Sequence, residues 1–252
     1  MKKTFIYLSL AITLFSCKKK TTEPSNNQST TPTPTEVTPT IGKPGPNITD
    51  VDGNTYKTVI IGTQQWMAEN LRVSKYNDGT PIPNITDNQL WGKSSPSSPG
   101  DAWCYYNNDA SNNAKYGKLY SCFTIFPPTN GNKDVCPIGW HIPTDAEWKI
   151  LTDFLGGVNV AGGKMKETGT TNWNSPNTDA TNTSLFTGRS GGERQSSGGF
   201  SNIGINGFWW SSTRGSDNAP LYSICCLSYI DGKVWNPFSQ MGEGFSIRCI
   251  KD

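Results

Sequence analysis

Seven cysteines, one histidine and nine tryptophans are the chemically most distinctive residues of this 252-residue chain. Six of the cysteines, Cys104, Cys122, Cys136, Cys225, Cys226 and Cys249, lie beyond residue 100. An even set in an exported chain fits disulfides, and six thiols leave many connectivities open. Cys225 and Cys226 are adjacent. On a strand they point to opposite faces, so different partners are expected. Redox or metal chemistry would need Cys-x-x-Cys pairs or histidine neighbours. No such pair exists, and His141 is the single histidine. No metal and no cofactor is expected, and the thiols are read as structural.

Paired carboxylates could do acid–base work, but Asp145 and Glu147 open a helix pattern, where the macrodipole accounts for them. Calcium-dependent sugar binding would need acidic and amide oxygens around a hard cation. Trp173-Asn174-Ser175 and Trp235-Asn236-Pro237 each lack the acid, so their asparagines read as loop formers. The chain is expected not to be an enzyme. The aromatic side chains are the better candidates for recognition. An exposed ring can lie flat on a sugar, and in Trp209-Trp210 a strand would turn one ring outward. Trp209, Trp210, Trp235 and Phe238 are therefore the ligand-binding candidates. Trp103, Tyr105 and Tyr106 form a second aromatic run. Most rings are still expected in the core, because aliphatic residues are scarce. Arg248 reads as structural, holding a buried carboxylate or a backbone carbonyl.

The elements that must position these residues follow from local pattern. Residues 55–62 read as a strand after the turn residues 50–54, with 65–71 as its hairpin partner. Thr144 with Glu147 makes a capping box, and Trp148, Leu151 and Leu155 recur at helical spacing up to Gly156-Gly157. A second short helix is expected near 162–168. Residues 76–100 and 170–206 read as loop, with strand pieces around Phe186 and Phe200. Residues 207–213, 221–229, 233–238 and 244–250 read as a closing antiparallel sheet, and Asp231-Gly232 as its tight turn.

The N-terminus reads as an address and a tether. Lys2-Lys3 precedes an apolar stretch at 5–15, which is too short to span a bilayer as a mature helix. Leu14-Phe15-Ser16-Cys17 resembles the lipobox of bacterial lipoproteins, which implies cleavage after residue 16 and lipidation of Cys17. Several acyl chains on that residue would anchor the protein stably. Residues 18–46 hold six Pro and eight Thr, too polar to offset chain entropy, so 17–46 reads as a disordered spacer. Lys18-Lys19-Lys20 could rest on anionic headgroups. Residues 47–252 then form one domain.

Charge narrows the partners. Residues 1–46 hold six basic and two acidic side chains, leaving 16 basic against 18 acidic in 47–252. No clustered basic footprint is visible in the sequence, so nucleic acid is not an expected partner. The expected place is the bacterial cell envelope, lipid-anchored to the outer membrane. The expected partner beyond the membrane is a polysaccharide or a surface protein.

The motifs DVDGNTYKTVIIGTQQWMAENL, KYNDGTPIP, CYYNND, YGKLY, CPIGWHIPTDAEWKIL, GFWWSST and GFSIRCIKD occur in this order. Together they resemble the Fibrobacter succinogenes major paralogous domain, over residues 49–252. That resemblance implies an exported surface domain with no established enzymatic mechanism, sometimes linked with plant polysaccharide. GWHIPTDAEW and GFSIRCI also resemble, more distantly, segments of sulfatase-modifying, formylglycine-generating enzymes. This second resemblance implies an α+β, C-type lectin-like fold. Such a fold has a twisted antiparallel sheet, two short helices, long loops and neighbouring termini. It further implies a Cys136–Cys249 disulfide. The reactive cysteine pair of those enzymes, separated by a few residues, has no counterpart here, since Cys225 and Cys226 are vicinal.

Overall fold

The computed structural model describes residues 41–92, 100–126, 130–216 and 219–252. All lie in the compact unit Thr38–Asp252. Cys17 and most of the expected spacer fall outside the described residues.

The architecture is α+β, with two antiparallel-rich sheets and a few short helices. The smaller sheet runs β1-β2-β3-β14-β6, with β1 at Lys43–Thr49, β2 at Thr55–Ile61, β3 at Gln64–Met67, β6 at Trp140–His141 and β14 at Ile250–Lys251. It thus gathers the first described strand and the last. The larger sheet runs β11-β10-β9-β7-β13-β5-β4. Its members are β4 at Trp103–Cys104, β5 at Leu119–Ser121, β7 at Gly191–Arg194 and β9 at Asn206–Ser216. β10 at Ala219–Ser228, β11 at Val234–Trp235 and β13 at Gly244–Phe245 complete the order. β8 (Phe200–Ile203) pairs with β7, and β12 (Phe238–Gln240) with β10. The helices are α1 (Asn88–Gly92), α2 (Asn113–Tyr116), α3 (Cys122–Ile125), α4 (Asp145–Phe154) and α5 (Val158–Met165).

Several elements form where the pattern places them. β2 and β3 make the expected hairpin, with Val59 opposite Trp66. α4 begins at the capping box: the Glu147 N–H donates to Thr144 Oγ1 at 3.3 Å, and the Thr144 N–H donates to Glu147 Oε2 at 2.8 Å. Trp148, Leu151 and Leu155 are buried along its inner face.

Four differences have physical reasons. The domain begins before residue 47, because β1 pairs along β2 from Lys43 opposite Ile60. Its two prolines are tolerated because β1 is an edge strand, so a missing N–H can face outward. The second helix spans Val158–Met165 rather than 162–168. Gly162 sits inside it because a Cβ there would collide with the Lys233 carbonyl. Asp231-Gly232 is not a two-residue hairpin turn: Leu227 pairs with Val234, and the longer connection turns its Asp231 carbonyl onto Lys166. Finally, 244–250 is not one strand. β13 belongs to the larger sheet and β14 to the smaller, and residues 246–249 cross between them. The crossing segment is fully buried, and its carbonyls accept from the N–H groups of Trp210, Leu71 and Met67.

Apolar packing divides into two main clusters and a minor one. One main cluster holds Tyr56, Tyr120, Phe123, Trp210, Phe245 and Ile247. The other holds Trp66, Trp148, Trp173, Phe186, Trp209 and Leu227. Trp209 and Trp210 do point to opposite faces of β9, but both faces are covered, so both rings are fully buried. The expectation that one of them faces outward is corrected. Their indole N–H groups are satisfied inside, by Asn70 Oδ1 and the Tyr120 carbonyl, each at 2.8 Å.

Candidate binding groove

Between the two sheets, Asn70 uses its whole amide. Its Nδ2 donates to the Tyr116 carbonyl (2.8 Å) and Ser246 Oγ (3.1 Å). Its Oδ1 accepts from Trp209 Nε1 (2.8 Å) and Arg248 Nε (2.9 Å). One side chain therefore ties the segment after β3, α2, β9 and the crossing segment together. Arg248 completes the junction. Its guanidinium donates to the Phe186 carbonyl, and to the Thr187 carbonyl at 2.8 Å, and lies 4.1 Å from the Phe186 ring centroid. The structural reading of Arg248 is thus met by carbonyls, with no carboxylate in ion-pair range among the described residues. Burial, opposed in part by nearby acids but reinforced by the Arg189 charge, brings its pKa down to about 9.

Arg248 forms part of the wall of a cleft of about 320 Å³. Lys57 on β2, Glu69 and Arg72 after β3, Lys115 on α2, and Arg189 line it as well. Gly117 closes one side with φ +73°, and a Cβ there would meet the Leu71 carbonyl at 2.7 Å. Glu69 pairs with Arg72 at 2.6 Å, and Arg189 with Glu167 at 2.8 Å. Burial alone would raise the Glu69 carboxyl, but hydrogen bonds from Arg72 and the Lys57 N–H hold it below its ordinary value. The ammonium groups of Lys57 and Lys115 have no carboxylate partner among the described residues, and both side chains are exposed.

A second compartment of about 430 Å³ shares Lys57, Ala68 and Thr187 with the first. Pro44, Val59 and Leu185 give it apolar wall, while Asn47, Thr58 and Thr187 add hydroxyl and amide groups. The two compartments make one groove with a cationic half and an amphipathic half.

The sequence-derived candidates distribute differently. Trp235 and Phe238 are about half exposed, at 52% and 54%. Trp235 pairs with Cys226 and Phe238 with Ser223, three positions apart on β10. Alternation therefore sends the two rings to opposite faces, and they form no common platform. Trp209 and Trp210 are excluded from any surface by burial. Trp103 carries Lys118 Nζ 3.8 Å from its ring centroid, and burial pulls that lysine down to about 8.

Cys136 and Cys249 form the disulfide implied by the more distant resemblance, with Cα atoms 5.9 Å apart. The other four candidates are not bonded: Cys104, Cys122, Cys225 and Cys226 are free and buried. Burial pushes Cys104 and Cys122 up to about 11 and Cys226 to about 12, and raises Cys225 strongly. They behave as small apolar core residues rather than as a disulfide framework. Among the described residues no group of three or more His, Cys, Asp or Glu side chains is placed to hold a metal. Nor is any helix long and apolar enough to cross a membrane.

The groove residues escaped sequence reasoning because Lys57, Arg72, Lys115 and Arg189 come from four separate segments. Only Glu69 and Arg72, three apart, gave a local sign of pairing.

Residues 59–251 match the model of the Fibrobacter succinogenes major domain, and the chain belongs to that family. No curated protein and no solved structure is similar enough to stand as a further relative.

Proposed function

We propose that this chain is a lipid-anchored binding or adhesion module of the bacterial cell envelope, held at the outer membrane through Cys17. Its domain is read as C-type lectin-like, and its partner as a polysaccharide or another surface macromolecule. The one observation that carries this reading is the two-compartment groove, cross-tied at its floor by Asn70 and Arg248. Concave sites with a few convergent polar groups are where ligands bind. Sulfatase-modifying-type oxidation draws no support from the cysteines. Cys249 is consumed in a disulfide, and the Cys225 and Cys226 thiols are buried and held protonated.

The test is retention of the full chain, in detergent micelles, on a panel of soluble and insoluble polysaccharides. Asn47 and Ala114 are exposed groove-lining residues, so Asn47→Trp and Ala114→Trp should obstruct the groove without disturbing the core. Retention lost in these variants and kept in Trp235→Ala is expected. Loss only in Trp235→Ala would move the site to the β10 edge. No retention of any polysaccharide or surface protein would leave a structural envelope role. Membrane release by Cys17→Ser tests the anchor separately.

A further inference from the structure

The domain is slightly acidic overall, yet five of the 16 basic side chains in 47–252 converge on one cleft. Among the described residues Glu69 is the only carboxylate in its lining. It is engaged by Arg72, while Arg189 is engaged by Glu167 from outside the lining. Lys57, Lys115 and Arg248 are left without a counter-charge in ion-pair range among the described residues. Arg248 is fixed in place by carbonyls and Asn70, so its charge cannot swing away to solvent. Like charges held together in a concave site concentrate positive potential there. The adjoining compartment is of another kind, with apolar wall beside hydroxyl and amide groups. That mixture suits a sugar ring, which presents C–H faces and a rim of hydroxyls.

We infer that the groove receives an acidic saccharide, with a uronate carboxylate in the cleft of Lys57, Arg72, Lys115, Arg189 and Arg248 and a neighbouring ring against Pro44 and Leu185. Lys57 and Lys115 supply the mobile charge, since among the described residues neither has a carboxylate to hold it back. Arg72 and Arg189 are oriented by their glutamates and can present remaining N–H groups to the carboxylate. Arg248 gives a fixed positive floor. This inference rests on the reading of the chain as a glycan-binding module and names the class of glycan.

The probe is a short oligogalacturonate, compared by calorimetry with the same oligomer fully methyl-esterified, which keeps the shape and removes the charge. The full chain in detergent is used, with Lys57→Gln/Lys115→Gln as the paired variant. Both side chains are exposed and make no ion pair among the described residues, so the fold should survive. The expected result is binding of the acid form, at least tenfold weaker binding of the ester, and weakening by added salt. The paired variant should weaken binding about tenfold at low ionic strength. Equal binding of acid and ester, unchanged in the variant, would overturn the acidic class and leave the glycan-binding reading standing. Binding of poly-glutamate without binding of any saccharide would overturn the saccharide and point to an acidic protein partner. No binding of either oligomer or of any glycan in the panel would overturn both readings.

Discussion

At the residue scale, the molecule relies on buried polar side chains that collect backbone groups from distant loops. Asn70 and Arg248 do so between the sheets. Arg194, also fully buried, donates to the carbonyls of Ile85, Thr86 (3.0 Å) and Gly198 (3.1 Å), stacked against Trp91 and Phe200. Lys166 Nζ donates to the carbonyls of Thr178 (2.7 Å), Ser228 (2.9 Å) and Asp231 (2.7 Å), and burial brings its pKa down to about 8. Where loops are long and aliphatic residues few, such cations satisfy carbonyls that would otherwise be buried unpaired. Asn70→Leu should therefore destabilise the protein by about 3 kcal/mol, since Trp209 Nε1 and Arg248 Nε both lose their acceptor. Urea unfolding measures this, and a loss under about 1 kcal/mol would show that the junction is not the tie described. The structural role of Arg248 was legible from its place beside aromatic and apolar neighbours in FSIRC. Those of Asn70, Lys166 and Arg194 were not, because most of their partners come from distant loops and no apolar motif flags them as buried.

Local signals set what was legible at the scale of elements. The capping box of α4 and the β2–β3 hairpin need only short stretches of chain, and both were readable. β1 was hidden by its prolines, and the split of β13 from β14 depends on which sheet each end meets. The helix start also carries a pH-sensitive clasp. His141 on β6 lies 2.8 Å from Glu147 Oε1 and 2.6 Å from Asp252 Oδ1, joining the capping box to the end of the chain. Desolvation alone would lower the His141 pKa, but its hydrogen bonds to Asp252 and Glu147 outweigh this and hold it above 6.5. The folded state therefore binds this proton more tightly than the unfolded chain. Its stabilising contribution is full below about 6.5 and is lost as pH rises through the folded value. As the single histidine, it gives one imidazole titration by NMR, expected above 6.5. His141→Gln should flatten the fall in stability across that range, and a titration at or below 6.5 would refute the clasp. Thr144→Ala should cost about 1 kcal/mol by removing the cap.

At the scale of the whole molecule, one disulfide joins Cys136, ahead of β6, to Cys249, one residue before β14, across a separation of 113 residues. Cross-linking a loop of that length restricts the unfolded chain, and Cys136→Ser/Cys249→Ser should cost about 4 kcal/mol in thermal or denaturant unfolding. Peptide mapping after alkylation in denaturant without reductant should find this linkage and free thiols at Cys104, Cys122, Cys225 and Cys226. A disulfide at Cys225 or Cys226 would contradict the packing described. The cysteine count alone favoured more bridges, because it carries no information on how deeply each thiol is buried. Aromatic richness was likewise a sound guide to the core and a poor one to the surface: both β9 indoles are covered by neighbouring elements. The groove became visible only when four separate segments were brought together, so the candidate site was far less legible than the fold.

The most direct measurement is NMR chemical-shift mapping on the isotope-labelled full chain, titrated with whichever glycan the retention panel selects. Saturable shifts should concentrate at Lys57, Asn70, Lys115 and Thr187, and Ala114→Trp should abolish them. Saturable shifts centred on Trp235 and Phe238, with the groove signals unmoved, would contradict the placement of the binding site.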